Sequence, residues 1–317
     1  MFCRTLVCRV PVVATVLIIG QALAREANDS TVLSGHKQDV NVVAVSADGT
    51  FVASGSTDQR VKVWSAGAAV ATRESGQGPV TAVAFSPDTR FVAVGSRYGD
   101  LTLWDRAVGT DLYTKRVHDN KHINGVAFLP DGTRFITVAS DQKAKVWDAA
   151  TGKELATLSG HKDSVVGLAV QPDGKQFFTS DASGFVRVWD GVSLKELSAF
   201  QLSEGEARCL PVSPDARMLA VGFTDGAIVF ADALTGKVLR RLVLGDPVNS
   251  IAFSPDARLL AAGTRSDQLT IVDVDAAKPL RGFKGHGRPI TSVAFFPDGS
   301  RIASGSLDTT VRVWSIK

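Results

Sequence analysis

Residues 304–317 read SGSLDTTVRVWSIK, and residues 54–65 read SGSTDQRVKVWS. In both copies a Ser stands ten residues before a Trp and an Asp six before it: Ser54, Asp58 and Trp64 in one, Ser304, Asp308 and Trp314 in the other. Apolar β-formers alternate in front of each Trp, the pattern of a short strand. A phrase repeated at such a distance requires a search for further copies before any domain is counted.

The copies are found through a second, shorter phrase. SADG, SPDT, LPDG, QPDG, SPDA, SPDA and FPDG carry Asp48, Asp88, Asp131, Asp173, Asp215, Asp256 and Asp298, at steps of 40, 43, 42, 42, 41 and 42 residues. Pro followed by Asp and Gly favours a tight turn, because Pro presets φ and the next two residues tolerate what remains. A β-rich run precedes each turn, as in VNVVAVS or ITSVAFF. Another follows it, such as FVASGS or RIASGS, then a third ending near Trp, then a fourth such as KELATLSGH. Four short strands per unit, seven units and no helical period of comparable length predict an all-β seven-bladed β-propeller.

The remaining composition fits a soluble globular chain, with 44% hydrophobic and 21% charged residues. The formal net charge is +3, and two of the positive charges, Arg4 and Arg9, lie in the first 24 residues, which leaves +1 for the rest. No basic field for nucleic acid or anionic lipid remains. Residues 1–24, MFCRTLVCRVPVVATVLIIGQALA, have a basic start, an apolar run and an Ala-Leu-Ala cleavage pattern. That is the layout of a secretory signal peptide, and its apolar run of about 11 residues, against about 20 for a spanning helix, favours cleavage over the alternatives, an uncleaved anchor or a mitochondrial leader. The expectation is therefore an exported protein, cleaved after Ala24, with a short linker at 25–29, the propeller at 30–317 and no stable membrane insertion. Cys3 and Cys8 would leave with the leader, so Cys209 could form no intrachain disulfide. Its place in the fifth unit's first strand suits a small core hydrophobe.

The sequence resembles the WD-repeat β-propellers over 30–317. Trp104-Asp105, Trp147-Asp148 and Trp189-Asp190 match the family's Trp-Asp dipeptide, and Gly35-His36, Gly160-His161 and Gly285-His286 match its Gly-His. The resemblance implies that the N-terminal segment supplies the outer strand of the last blade, so residues 30–34 should pair with 310–316. It also implies a buried hydrogen-bonded chain of Ser, His, Asp and Trp within a blade. Ser54, His36, Asp58 and Trp64 fit that set, as do Ser304, His286, Asp308 and Trp314. Only the first and seventh units carry it whole. The second has Gly76 and Tyr98 in the His and Asp places, the third has Asp119 with His118 one residue off, and the fourth has Ser183 for Asp. The fifth and sixth have Phe230-Ala231 and Val272-Asp273 for Trp-Asp. Two intact networks flanking the closure suggest reinforcement of the one joint made by distant chain.

No haem-attachment, phosphate-loop, nucleophile-elbow or zincin motif is present, so no catalytic residue, cofactor or metal site is assigned. GSRYG at 95–99 falls in the loop before a Trp strand. The family resemblance points to the ring face formed by the loops before each blade's first and third strands as the partner face. Arg97, Phe223, Arg265 and Leu307 are its candidate anchors, with His122 and Arg288 beside them, since Arg and large apolar residues anchor interfaces. The expected function is a noncatalytic, exported, monomeric scaffold for a protein partner, with the periplasm as its address. The alternatives are a ligand or enzyme site in the central channel and an accessory role in a periplasmic redox assembly.

Overall fold

The computed structural model describes residues 30–75, 78–202 and 205–316. The leader, the linker and Gly76 lie outside the described residues. Among those described, every regular element is a strand, and the strands form seven four-stranded antiparallel sheets. Blade 1 is built from Val40–Val45, Val52–Ser56, Arg60–Ser65 and Ala68–Glu74, in that order from the channel outward. Blades 2 to 6 repeat the plan in chain order. Blade 7 takes Ile290–Phe295, Arg301–Ser306 and Val311–Ser315 from the C-terminal segment and its outer strand, Ser30–Leu33, from the N-terminal one. The pairing runs from Ser30 opposite Trp314 to Leu33 opposite Val311, as the resemblance implied. The chain is thus a seven-bladed β-propeller closed by its N-terminal strand.

Burial follows from the sandwiching of sheets. The second strand of each blade lies between two neighbours, and all of Val52–Ser56 is buried. Outer strands such as Thr110–Arg116 are mostly exposed. The apolar core consists of layers between adjacent blades, and all five tryptophans are buried in it. Leu33, Val40, Trp64, Phe296 and Val311 form the layer at the closing seam. Gly305 is required there, because a Cβ at that position would stand 2.7 Å from the Val40 side chain of the next blade.

The Pro-Asp-Gly phrase does two jobs. Inside the turn, Asp48 Oδ1 accepts from the Ser46 hydroxyl at 2.6 Å and from the Thr50 N–H at 3.0 Å. Between blades, the turn glycine at φ +70° puts its Cα against the neighbouring turn's proline. A Cβ on Gly49 would lie 3.4 Å from Pro297 Cδ, and one on Gly132 3.5 Å from Pro87 Cδ. The period read in the sequence thus sets turns of neighbouring blades against one another, as Gly174 meets Pro130 and Gly299 meets Pro255.

A second ring lines the channel. Each innermost strand shifts register after its first residue, by a β-bulge that leaves Asn41, Thr81, Asn124, Val166, Arg208, Asn249 or Thr291 unpaired in the ladder. A bulge re-aims a side chain, and here it reaches the next blade. Asn41 Nδ2 donates to Val80 O, Thr81 Oγ1 to Ile123 O, Asn124 Nδ2 to Val165 O, Asn249 Nδ2 to Ile290 O and Thr291 Oγ1 to Val40 O, at 2.7 to 2.8 Å. Each such bond contributes about 1 kcal/mol. Val166 cannot donate, and Arg208 instead pairs with Glu206 at 3.0 Å, so the ring of bulge side chains is interrupted there, and the fifth blade meets the fourth through the Ala207 N–H, which donates to Ala182 O at 2.9 Å. That blade is irregular in other ways. Its innermost strand is only Ala207–Cys209, ahead of Pro211, which has no N–H to give the ladder. Cys209 is half-buried and packs on the core layer between blades 5 and 6. Burial pushes its thiol up to about 12, as befits a core residue.

Candidate functional site

The buried networks decide which polar groups are free to act. In blade 1, His36 Nδ1 lies 3.0 Å from Asp58 Oδ2 and Nε2 lies 2.8 Å from Ser54 Oγ, which also accepts from the Trp64 indole N–H at 2.8 Å. In blade 7, His286, Asp308, Ser304 and Trp314 repeat this at 2.8 Å throughout. One protonation state satisfies every atom. A neutral imidazole donates from Nδ1 to the carboxylate and accepts at Nε2 from the Ser hydroxyl, whose lone pair takes the indole N–H. No exposed nucleophile remains, so the eight residues hold the blades together.

Blades 3 and 4 are equally complete, which corrects the expectation that only two units carry the set. In blade 3 the histidine is His118, not Asp119. Its Nδ1 lies 2.8 Å from Asp141 Oδ2 and its Nε2 2.8 Å from Thr137 Oγ1, which accepts from Trp147 at 2.9 Å. Ile123, the first of its strand, comes five positions after His118, whereas Val40 comes four after His36. The extra residue is absorbed by Asp119 and Asn120, both at positive φ. In blade 4 the carboxylate is Asp181, at the end of the second strand, 3.0 Å from His161 Nδ1. Ser183 holds its other oxygen at 2.6 Å. His161 Nε2 and the Trp189 indole both reach Thr179 Oγ1, at 2.7 and 2.8 Å. Four networks spread around the ring cannot be a special reinforcement of the closure.

Of the other three blades, the fifth and sixth drop the network as a unit. Where Trp gives way to Phe230 and Val272, the Ser position ten residues earlier is Ala220 and Ala262, and all four are buried. Exchanging both partners for apolar groups leaves nothing unsatisfied. Blade 2 stops halfway. Trp104 stays but faces Val94, and its indole nitrogen has no partner among the described residues.

The surroundings set the charge states. Burial holds the His36 and His161 imidazoles below their ordinary range, against the pull of Asp58 and Asp181. Burial pushes the Asp58 carboxyl upward, but the Lys37 N–H and His36 outweigh it, and the group lies low. Asp308 goes lower still: burial opposes, while His286 and Thr310 prevail.

The loop face is defined by one backbone bond per blade. The N–H of Thr57, Arg97, Ser140, Ala182, Thr224, Arg265 and Leu307 donates to the carbonyl of Asp39, Pro79, His122, Ser164, Glu206, Pro247 and Pro289 in turn, at 2.8 to 3.1 Å. Thr224 therefore takes the place expected for Phe223. Phe223 ends its strand one residue earlier and is 1% exposed, packed in the layer between blades 4 and 5, so it offers nothing to the face. Arg97 and Arg265 are exposed, and Leu307 is half-buried. Arg288 is exposed and spans the seam, 3.3 Å from Asp39 Oδ1 and 3.0 Å from Leu307 O. His122 is half-buried beside Arg97 in a small cavity of the rim. The channel itself offers a 300 Å³ space in which Arg208 is the one charged lining residue. Among the described residues no cluster of three or more His, Cys, Asp or Glu could hold a metal ion.

Comparison with known proteins agrees with this geometry. The family model "WD domain, G-beta repeat" matches residues 28–65, 69–105, 109–148, 152–190, 236–273 and 277–315. The fifth blade, with its short inner strand, falls largely between these segments. Among similar proteins, mouse WD repeat-containing protein 3 is 31% identical over 116 residues, 37% of this chain and 12% of that protein. Protein HIR1 of Eremothecium gossypii is 27% identical over 164 residues, 41% of this chain and 20% of that protein. The guanine nucleotide-binding protein subunit beta of Arabidopsis thaliana is 32% identical over 139 residues, 41% of this chain and 37% of that protein. The chain thus spans well under two thirds of each.

Proposed function

Because the chain belongs to the WD-repeat family, we propose that it is a noncatalytic scaffold whose rigid ring presents the loop face to a protein partner. The observation that carries this reading is the contrast between interior and rim. Interior histidines, hydroxyls and carboxylates satisfy one another, whereas Arg97 and Arg265 stand exposed at equivalent rim positions, with no side-chain partner among the described residues. Exposed Arg on a rigid backbone is typical interface chemistry. The similar proteins above include a guanine nucleotide-binding protein subunit, whose name denotes a member of an assembly. The channel alternative has less support, since Asn41, Thr81, Asn124, Asn249 and Thr291 spend their polar groups on the next blade.

Export remains part of the proposal and rests on the leader alone; the similar proteins named above are eukaryotic and lend nothing to a bacterial periplasm. Affinity capture from the native cell fraction tests the scaffold reading. Arg97→Ala and Arg265→Ala should weaken capture about thirtyfold if either is an anchor, with melting unchanged. Normal capture by both variants, with loss on changing the Pro-Asp turns of the opposite face, would place the interface on the other side.

A further inference from the structure

The sequence holds five histidines, and four of them place both ring nitrogens in the blade networks. His122 is outside that scheme. Its carbonyl is fixed by the Ser140 N–H at 2.9 Å, yet its Nε2 is enclosed by protein and has no hydrogen-bond partner among the described residues. An enclosed ring nitrogen left unpaired is costly, and such groups in folded proteins call for an explanation.

The space around it supplies one. His122 lines a cavity of 180 Å³ together with Asn41, Thr57, Pro79, Thr81 and Arg97, drawn from three successive blades. The amide of Asn41 donates to Val80 O and the hydroxyl of Thr81 to Ile123 O. The Thr57 hydroxyl is bonded to the Asn41 amide, which leaves Arg97 and His122 as the lining side chains with uncommitted donors, and no carboxylate lines the cavity. Burial, with Arg97 adding its charge, holds the His122 imidazole below its ordinary range, and a neutral imidazole still has one N–H to give. A water's share of liquid volume is about 30 Å³, so the cavity has room for a carboxylate and the methylene next to it.

We propose that this niche is a carboxylate-binding subsite, in which the Arg97 guanidinium and the His122 imidazole grip one carboxylate presented by a protein partner. The subsite deepens the scaffold reading and rests on it for the source of the carboxylate. Arg supplies the charge and the paired donors suited to that group, and His122 supplies a donor fixed on the far side.

Imidazole nitrogen NMR on the full chain tests it, with glutarate as probe. The four network histidines serve as internal controls. His122 resonances should shift saturably with glutarate while those of His36, His118, His161 and His286 stay put. Arg97→Gln should weaken the response about tenfold to a hundredfold, the worth of a charged hydrogen bond, and Arg265→Gln should leave it unchanged. Two peptides separate the sources: one blocked at both ends with a single Glu, one of Gly and Ala with a free C-terminus. Preference for either supports the subsite and names the source. Absence of a His122 shift, or a shift indifferent to Arg97→Gln, overturns it, as does tighter binding of inorganic phosphate than of glutarate. Glutarate binding with no partner captured on the loop face would retain the niche and remove the scaffold; capture without glutarate binding would do the reverse.

Discussion

Replacing His118 with Ala removes an imidazole that is fully enclosed in blade 3. The Thr137 hydroxyl then loses its acceptor, and Asp141 Oδ2 loses its donor. An unsatisfied buried group costs about 1–3 kcal/mol. The low end applies to each here, because Thr137 still accepts from Trp147 and Asp141 Oδ1 keeps the Lys143 N–H at 3.1 Å. The loss should be about 2–4 kcal/mol. At about 2–4 °C per kcal/mol for a domain near this size, the midpoint of thermal unfolding should drop by about 4–16 °C. Asp119→Asn, one residue away on an exposed loop at positive φ, should stay within about 0.5 kcal/mol of the parent. Tryptophan fluorescence during heating and in urea reads both, with Trp147 as a local reporter. A His118→Ala variant that melts with the parent, beside an Asp119→Asn variant that does not, would refute the network assignment in this blade.

Three further outcomes follow from the same structure. Acidification should destabilise in two stages. His36 and His161 are held below 6.5 in the fold, so the unfolded chain binds more protons there and stability declines as pH falls from about 6.5. Asp58, Asp141, Asp181 and Asp308 are held below 3.8, so their contribution is present above that value and is lost as pH falls further; a flat melting temperature from pH 7 to 3 would contradict both stages. Deleting Ser30–Leu33 exposes the edge of Val311–Ser315, and the variant should melt lower or associate through that edge in sedimentation, whereas parental behaviour would mean that the ring closes otherwise. N-terminal sequencing of protein from the native host should begin at Arg25, and a mature protein still starting at Met1 would end the export proposal.

The period, blade number and closing register were legible because they rest on turn chemistry and strand alternation, which each unit must satisfy locally. The networks were only half legible. Fixed spacings of 22 residues between His and Asp found His36–Asp58 and His286–Asp308, but a loop can grow by one residue if two positions accept positive φ, as before His122. A carboxylate can also come from two residues earlier, as with Asp181, so that Ser183 becomes its helper. Phe223 was misread for a related reason: an offset of one along a strand end turns a rim position into a core one. The channel ring had a trace in the sequence, an Asn or Thr after the first β-branched residue of an inner strand in Val40-Asn41, Val80-Thr81, Ile123-Asn124, Val248-Asn249 and Ile290-Thr291. It is hard to recognise because a bulged residue breaks the alternation that marks a strand.

The decisive question is which side of the ring meets another protein. Hydrogen–deuterium exchange on the propeller, alone and with the partner captured from its native fraction, measures that directly. The proposal predicts added protection in the loops around Arg97, His122, Arg265 and Leu307, with the turns at Asp48, Asp88, Asp131 and Asp298 unchanged. Protection of those turns instead, with the loop face exchanging as in the free protein, would contradict it.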